Sequence, residues 1–428
     1  MRCIDNDVKG NGIFKIDGKT VFVPGVLKDE EVVLQKNKHY ELVSITRPSK
    51  DRVNVICPSF YFCGGCQYLH ISYQKELEIK TNYLRHLFNR QDLKALGMTS
   101  PLYYRNKIQY ATQKKKTLGT GFYKEGTHDF IKVNKCYLHN ETLDEIAGFL
   151  KELLIKYKIT AYDPKTRNGL VKHILLKGNK DMSEVLVVLV LTNNVLPKRK
   201  DIIRDLVGKY QNVKTIVENY NFRQTSIILG EDFKVTYGSG FIKDDILGFK
   251  FLIGADTFYQ INHEGVEKLY EKAISLFNPN KNMTVVDAYS GVGTIGLILS
   301  PQVKNVISIE LNKNSIYVAR ENAKLNHIKN INFISGDATN VIFNLAKNKT
   351  KIDGLIMDPP RSGSTKGFIK TVASLKIKKV LYISCEPVTL KRDLEEFKNL
   401  GYNVDEMISI DMFPRTFNME TIALLSLK

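Results

Sequence analysis

From about residue 256 onward, short runs rich in Val, Ile and Leu alternate with longer stretches whose apolar residues recur every three or four positions. Runs of that length are buried strands and the longer stretches are helices. Regular alternation of the two restricts this part of the chain to a doubly wound, mostly parallel sheet with helices on both faces. The strands read as MTVVDA, NVISIE, INFISG, GLIMDPP, VLYISC, NVDEMISI and a terminal METIALLSL.

Open α/β sheets bind ligands beyond the carboxyl ends of their strands, where the strand order reverses. The first five runs end in Asp287, Glu310, Asp337, Asp358 and Cys385, which places five polar or reactive groups on one edge. After the first run comes DAYSGVGTIG (287–296), with Gly291, Gly293 and Gly296 spaced as in a dinucleotide fingerprint. A pyrophosphate on that loop needs no carboxylate ahead of it, and Asp287 would repel one. S-adenosylmethionine has an ammonium that Asp287 can pair with, directly or through neighbours, and it carries no phosphate. Glu310 suits both ribose hydroxyls and Asp337 the adenine amino group. The expected ligand is therefore S-adenosylmethionine, with a nicotinamide dehydrogenase as the rival reading.

Cys385 closes the fifth run in YISCEP, beside Asp358-Pro-Pro-Arg361 on the fourth. A buried thiol is usually a small apolar filler. Next to a methyl donor it has a use, because carbon 5 of uracil is too weak a nucleophile to attack a sulfonium methyl. A thiolate added at carbon 6 makes carbon 5 an enolate carbon that can. The carbon 5 proton must then leave, and Glu420, at the start of the last strand, is the expected base. In methyltransferase sheets that strand runs antiparallel, which brings its start to the edge where the others end. A stacked base could not reach such a pocket, so the target nucleotide must be flipped or single-stranded.

Lys and Arg number 63 against 45 Asp and Glu, a formal charge of +18 that favours a polyanionic partner over a merely lysine-rich surface. The first thirty residues lack a signal-peptide core, and the longest apolar run, VLVVLVL (185–191), is far too short to cross a bilayer. It is expected to be a buried strand, in a cytoplasmic protein without membrane contact. Residues 1–50 alternate short apolar runs with turns, the pattern of a small β-barrel. SYQKELEIKTNYLRHLF (72–88) has helical periodicity, and 103–255 is strand-like, with a hairpin around GNKD. One helix interrupts it, capped by Asn140 and presenting Leu143, Ile146, Leu150, Leu153 and Leu154 on one face. CPSFYFCGGC gives Cys57, Cys63 and Cys66 as C-x5-C-x2-C, with Cys136 downstream. Such thiols could form a redox pair, hold zinc or ligate an iron–sulfur cluster, and spacing does not choose between these.

The chain resembles the RNA (uracil-5-)-methyltransferases, within them the 23S rRNA enzymes that carry an iron–sulfur cluster and a TRAM domain. The resemblance runs through DGKTVFVPGVLKDEEV, FYQIN (258–262), DAYSGVGTIGL, DPPR, SCEP and FPRTFNMET. It implies a class I (Rossmann-like) α/β methyltransferase domain over 256–428. An OB-like TRAM barrel is implied over 1–50, and a strand-rich iron–sulfur and RNA-binding region over 51–255, of which 70–100 packs on the catalytic domain. It further implies Cys385 as nucleophile, Glu420 as base, and contacts to cofactor or target base from Phe258, Gln260, Tyr289, Gly291, Gly293, Glu310, Asp358 and Arg361. A structural four-iron four-sulfur cluster is implied on Cys57, Cys63, Cys66 and Cys136. The implied partner is 23S rRNA, not DNA, bound by a monomer partly through QKKKT (113–117). A tRNA uridine methyltransferase and a non-catalytic ribosome assembly factor are the alternatives. Three positions depart from the family pattern: Glu386 stands where Asn is usual, and Arg415 and Asn418 stand where histidines are.

Overall fold

The computed structural model describes residues 1–114, 117–124, 127, 129–225 and 227–428. Its largest sheet contains the seven expected strands: β1 (Thr284–Ala288), β2 (Asn305–Glu310), β3 (Ile331–Ser335), β4 (Gly354–Met357), β5 (Lys379–Ser384), β6 (Tyr402–Ile410) and β7 (Glu420–Leu427). They lie in the order 3-2-1-4-5-7-6, with the first five parallel and β7 antiparallel to both β5 and β6. Alternate residues of the strands feed two cores. Val285, Val306, Ile356 and Leu381 pack toward the helices His263–Phe277, Thr294–Leu299 and Lys313–Leu325. Val286, Ile307, Leu355 and Val380 pack toward Ala338–Lys347, Lys366–Ser374 and Pro387–Asn399. Covering both faces explains why the strands read as continuous apolar runs rather than as alternating ones.

An eighth strand, Ala95–Leu96, comes from far upstream and pairs in parallel with Ser409 and Ile410. It follows the helix Tyr73–Phe88, which Ser72 caps by accepting from the Lys75 amide, as the pattern at 72–88 anticipates. Leu84 and Leu93 enter the same core as β4 and β5, so residues 73–96 are built onto the large sheet.

The remaining residues form smaller layers. Asp5–Asn6, Asn11–Ile16 and Lys19–Pro24 make one small sheet, and Glu31–Lys36 with Tyr40–Arg47 another. Together they enclose Cys3, Phe14, Val23, Val26 and Val32 in a barrel-like unit. A seven-stranded sheet follows, in the order Asp232–Tyr237, Val213–Tyr220, Val185–Leu191, Val171–Gly178, Lys107–Lys114, Leu118–Tyr123, Phe130–Lys132. All seven residues of VLVVLVL are buried, and Val171–Gly178 pairs with them as the GNKD hairpin. The helix Glu141–Lys156 is capped by Asn140 and buries the five leucine and isoleucine positions expected of it. A second helix, Arg199–Lys209, is absent from the sequence reading. It buries only Ile202 and Leu206, so its apolar stripe is too thin to register, yet it supplies the crossover between two parallel strands. Lys115 and Lys116 of the QKKKT stretch lie outside the described residues.

The hairpin Phe241–Ile246 and Phe249–Gly254 leans on the helix Lys313–Leu325: the Leu252 amide donates to Asn322 Oδ1 at 2.8 Å, and Phe251 and Ile253 join the core on that face of the large sheet. Among the described residues, no helix is long and apolar enough to cross a membrane.

Candidate active site

The loop after β1 is shaped by backbone that ordinary residues avoid. Tyr289, Gly291 and Gly293 have φ of 64°, 54° and 79°, a region open to glycine and strained for tyrosine. Glu310, at the end of β2, holds this loop from below. Its Oε2 accepts from the Gly291 amide at 2.9 Å and its Oε1 from the Asn312 amide at 2.7 Å. Gly296 is required by close approach, since a Cβ there would meet Asp287 Oδ2 at 2.7 Å and Ser308 Oγ at 3.0 Å.

A cavity opens above this loop. Gln260, Tyr289, Gly291 and Asp358 line it, together with Phe258, whose ring is 68 % exposed at the rim. Two further lining residues, Ser290 and Tyr270, were not singled out from the sequence. Ser290 Oγ is buried with no hydrogen-bond partner among the described residues. Its position inside DAYSGVGTIG was the available signal.

Other expected ligand residues stand elsewhere. Asp287 is 1 % exposed and its Oδ2 accepts from the Gly296 amide at 3.0 Å and Ser308 Oγ at 3.1 Å. Burial, above all, pushes this carboxyl up to about 7. Through Oδ2 it fastens the helix Thr294–Leu299 to β1 and β2. Gly293 caps the helix Thr294–Leu299, and Asp337 is exposed and caps Ala338–Lys347 through the Asn340 amide.

Cys385 and Glu420 face one another across the edge of the sheet. Ser384 pairs with Thr421 in the antiparallel ladder, so the thiol follows the last paired residue of β5 and the carboxyl precedes its partner on β7. Burial pushes the Cys385 thiol up to about 11, the charges of Glu420 and Asp358 add to this, and a hydrogen bond and charge from Arg361 oppose it. Burial likewise raises the Glu420 carboxyl well above the carboxylate range, with Asp358 reinforcing and Arg361 opposing. Glu420 Oε2 is buried without a partner. Asp358 stands at about 7, raised by burial and then by Asp287. A thiol, two carboxyls of raised proton affinity and a guanidinium thus lie close together, with Asp358 also lining the ligand cavity.

The departures from the family pattern have local explanations. Glu386 caps the helix Pro387–Asn399, accepting from the Val388 amide at 3.3 Å. Asn418 bonds Thr416 Oγ1 through its side chain at 3.3 Å. Arg415 reaches away from the pocket, toward the segment after Cys66.

Cys57, Cys63, Cys66 and Cys136 line one cavity of about 250 Å³, together with Arg105 and His139. Burial raises the first three thiols. At Cys136 burial also opposes ionisation, but a hydrogen bond and charge from His139 prevail and hold the thiol below its ordinary value. Among the described residues, no three His, Cys, Asp or Glu side chains are gathered closely enough to hold a single metal ion. Cys3 is apart, buried in the barrel-like unit.

The sheet order, the glycine loop and the cavity are those of a class I S-adenosylmethionine-dependent methyltransferase, and comparison with known proteins places it among those that act on RNA. Residues 72–428 match the family described as tRNA (Uracil-5-)-methyltransferase, and the chain belongs to it. An uncharacterized RNA methyltransferase of Clostridium tetani is 35% identical over 431 residues, covering 98% of this chain and 94% of its own. One from Listeria innocua is 36% identical over 432 residues, covering 98% and 95%. Among solved structures, the Pyrococcus abyssi tRNA (uracil-54, C5)-methyltransferase in complex with S-adenosyl-L-homocysteine superposes with a TM-score of 0.81. It is 25% identical and covers 99% of this chain and 100% of its own.

Proposed function

We propose that this enzyme methylates carbon 5 of a flipped uridine in 23S rRNA through a covalent adduct on Cys385. The observation that carries the reading is that Cys385 and Glu420 flank the Ser384–Thr421 pair on adjacent antiparallel strands, with Arg361 and Asp358 acting on both. Arg361 stabilises the Cys385 thiolate, which adds to carbon 6 of the uracil. Bound S-adenosylmethionine supplies the methyl group, which carbon 5 takes up as the carbon–sulfur bond of the sulfonium breaks. Glu420 then removes the carbon 5 proton, the electron pair re-forms the 5,6 double bond, and Cys385 leaves as thiolate. Gln260, Tyr289, Gly291 and Asp358 are assigned to cofactor or target base, and Phe258 at the rim to the flipped nucleotide. Glu310, Gly293, Asp287 and Asp337 support the loop and helices around it.

The four thiols on one cavity suit a four-iron four-sulfur cluster, whose ligands stand further apart than those of a single ion. The residues that would hold it are Cys57, Cys63, Cys66 and Cys136, in a region 51–255 that joins the barrel of 1–50 to the catalytic residues 256–428. Iron and sulfide analysis of anaerobically prepared protein tests this assignment.

One observation favours a second reading, methylation of tRNA. The likeness to the Pyrococcus abyssi tRNA enzyme extends over 99% of this chain, so the barrel-like unit does not by itself separate the two substrates. The deciding experiment transfers labelled methyl from S-adenosylmethionine to total RNA from a strain lacking this gene, followed by separation and nucleoside analysis. Label as 5-methyluridine in 23S rRNA is expected. Label in tRNA would keep the chemistry and replace the substrate, and no label would overturn the reading.

A further inference from the structure

Arg415 stands where the family usually has histidine, and its side chain makes contacts that an imidazole could not span. It lies in the connection from β6 to β7, five residues before Glu420, with φ of 68°. Its guanidinium Nη1 donates to the carbonyl oxygens of Ile71 at 3.0 Å and Tyr68 at 3.4 Å, and lies 3.4 Å from Glu76 Oε2. Its own amide donates to Glu76 Oε1 at 2.7 Å. Its carbonyl accepts from the amides of Gln67 at 2.9 Å and Tyr68 at 3.2 Å. Two residues on, the Phe417 amide donates to Gln67 Oε1 at 3.3 Å. Every one of these partners lies in the ten residues after Cys66. On the other flank, Asn262 Nδ2 donates to the Met412 carbonyl at 2.9 Å and Tyr104 OH to that of Pro414 at 3.1 Å.

A non-glycine residue persists in the left-handed region only where its surroundings over-determine it. Here the over-determination joins two remote parts of the chain: the loop leaving the cysteine-lined cavity and the turn that delivers Glu420. Glu420 itself has a carboxyl oxygen without a partner among the described residues, and among these no hydrogen bond to its side chain fixes its direction. Its placement therefore depends on the backbone that carries it.

We propose that Arg415 is a positioning residue for Glu420: it clamps the β6–β7 connection to the Gln67–Ile71 loop, so that the order of the cysteine-bearing segment sets where the base stands. The inference rests on the assignment of Glu420 as the base that resolves the adduct. It predicts that loosening the clamp slows the second half of the reaction and spares the first, because Cys385 is carried by β5 and not by this connection.

The test uses the full-length protein with Arg415→Gln and Arg415→Lys, labelled S-adenosylmethionine and a uridine-containing rRNA fragment. Adduct formation and adduct resolution are followed separately in single turnover, and hydrogen exchange is followed over 67–71 and 411–420. With Arg415→Gln, resolution should slow by about 10- to 100-fold, as sub-ångström to ångström misplacement of a catalytic group does. Adduct formation and cofactor affinity should change less than about threefold, and exchange should rise in both segments together. Arg415→Lys should recover part of the loss, since the ammonium keeps the attraction to Glu76 but not the fork geometry. Unchanged resolution, or faster exchange in 411–420 with 67–71 still protected, would overturn the proposal. Should Arg415→Gln not fold, Gln67→Ala removes the acceptor of the Phe417 amide together with the donor to the Gly64 carbonyl, and must slow resolution in the same sense; an unchanged rate there overturns it equally. If the unmodified enzyme forms no adduct, the reading of Glu420 fails, and the exchange comparison still decides whether the clamp exists.

Discussion

A thiol beside two carboxyls is a poor nucleophile until something draws its proton away. With Cys385 held at about 11 by burial, Glu420 and Asp358, the thiolate is scarce at neutral pH. The reactive form is the deprotonated one and its pKa is raised, so kcat/KM should climb about tenfold per pH unit from 7 to 9, with no plateau at the ordinary thiol value. Levelling off below pH 8.5 would contradict this. Arg361 acts in the opposite sense, so Arg361→Gln should move the profile to higher pH and lower kcat/KM at pH 7.5 by about 10- to 100-fold, whereas Arg361→Lys should retain part of the rate. The places of Cys385 and Glu420 at one sheet edge were legible in the sequence, because Cys385 closes one apolar run and Glu420 opens another that runs antiparallel to it. What Asp287 does was not. A carboxylate ahead of a glycine loop reads the same whether it turns up to a ligand or down to a helix amide, and only the close approach of Gly296 decides it.

The elements repeat this division between pattern and packing. Gly296 lets the helix Thr294–Leu299 lie against β1, and Gly296→Ala should force the two apart, at about 1–3 kcal/mol of stability and with weaker cofactor binding by calorimetry. Lys80, on the helix Tyr73–Phe88, donates to Glu76 Oε1 at 2.8 Å and to Asp411 Oδ1 at 2.6 Å, with all three side chains fully buried. Lys80→Met would strand two buried carboxylates and should cost about 3–5 kcal/mol in denaturant unfolding. Long buried runs such as Val185–Leu191 and the capped helix at Asn140 were legible because burial imposes period and composition together. The strand Ala95–Leu96 was not, being two residues long and defined only by the strand it meets. The helix Arg199–Lys209 was hidden for another reason: it is mostly solvated, and two buried side chains do not make a period.

Over the whole molecule, charge and buried acid pull in different directions. A net +18 should make RNA binding steeply salt-dependent, with affinity falling by about 10³–10⁵ between 50 and 200 mM salt if 6–10 phosphates are contacted. A filter-binding series gives the slope, and a flat one would remove the electrostatic argument for an RNA partner. Asp358 stands at about 7 against an ordinary 3.8, so the folded protein holds its proton more tightly than the unfolded chain does. Stability from this group is therefore lost as pH rises from about 4 to about 7. Asp358→Asn should accordingly raise the Tm of the ligand-free protein at pH 7.5, by roughly 1–4 °C, while impairing methyl transfer. The polyanionic partner and the α/β class could be read from composition and run order. The packing of 70–100 on the catalytic sheet came with the family resemblance and not from composition or run order, which do not show pairings between residues more than 300 positions apart, such as Lys80 with Asp411.

The antiparallel placement of β7 beside β5 works as a ruler. Because Ser384 is paired with Thr421, the gap between thiol and carboxyl is measured out in whole residues of a hydrogen-bonded ladder. A slip by a single residue would not lengthen that gap slightly; it would turn every side chain of β7 to the opposite layer, exchanging Ile422 with Ala423 and Leu425 between the two cores. The distance between the two reactive groups is thus digital, either right or lost along with the fold. Sequence drift in either strand can alter the walls of the pocket, but the spacing across it is fixed by the ladder itself.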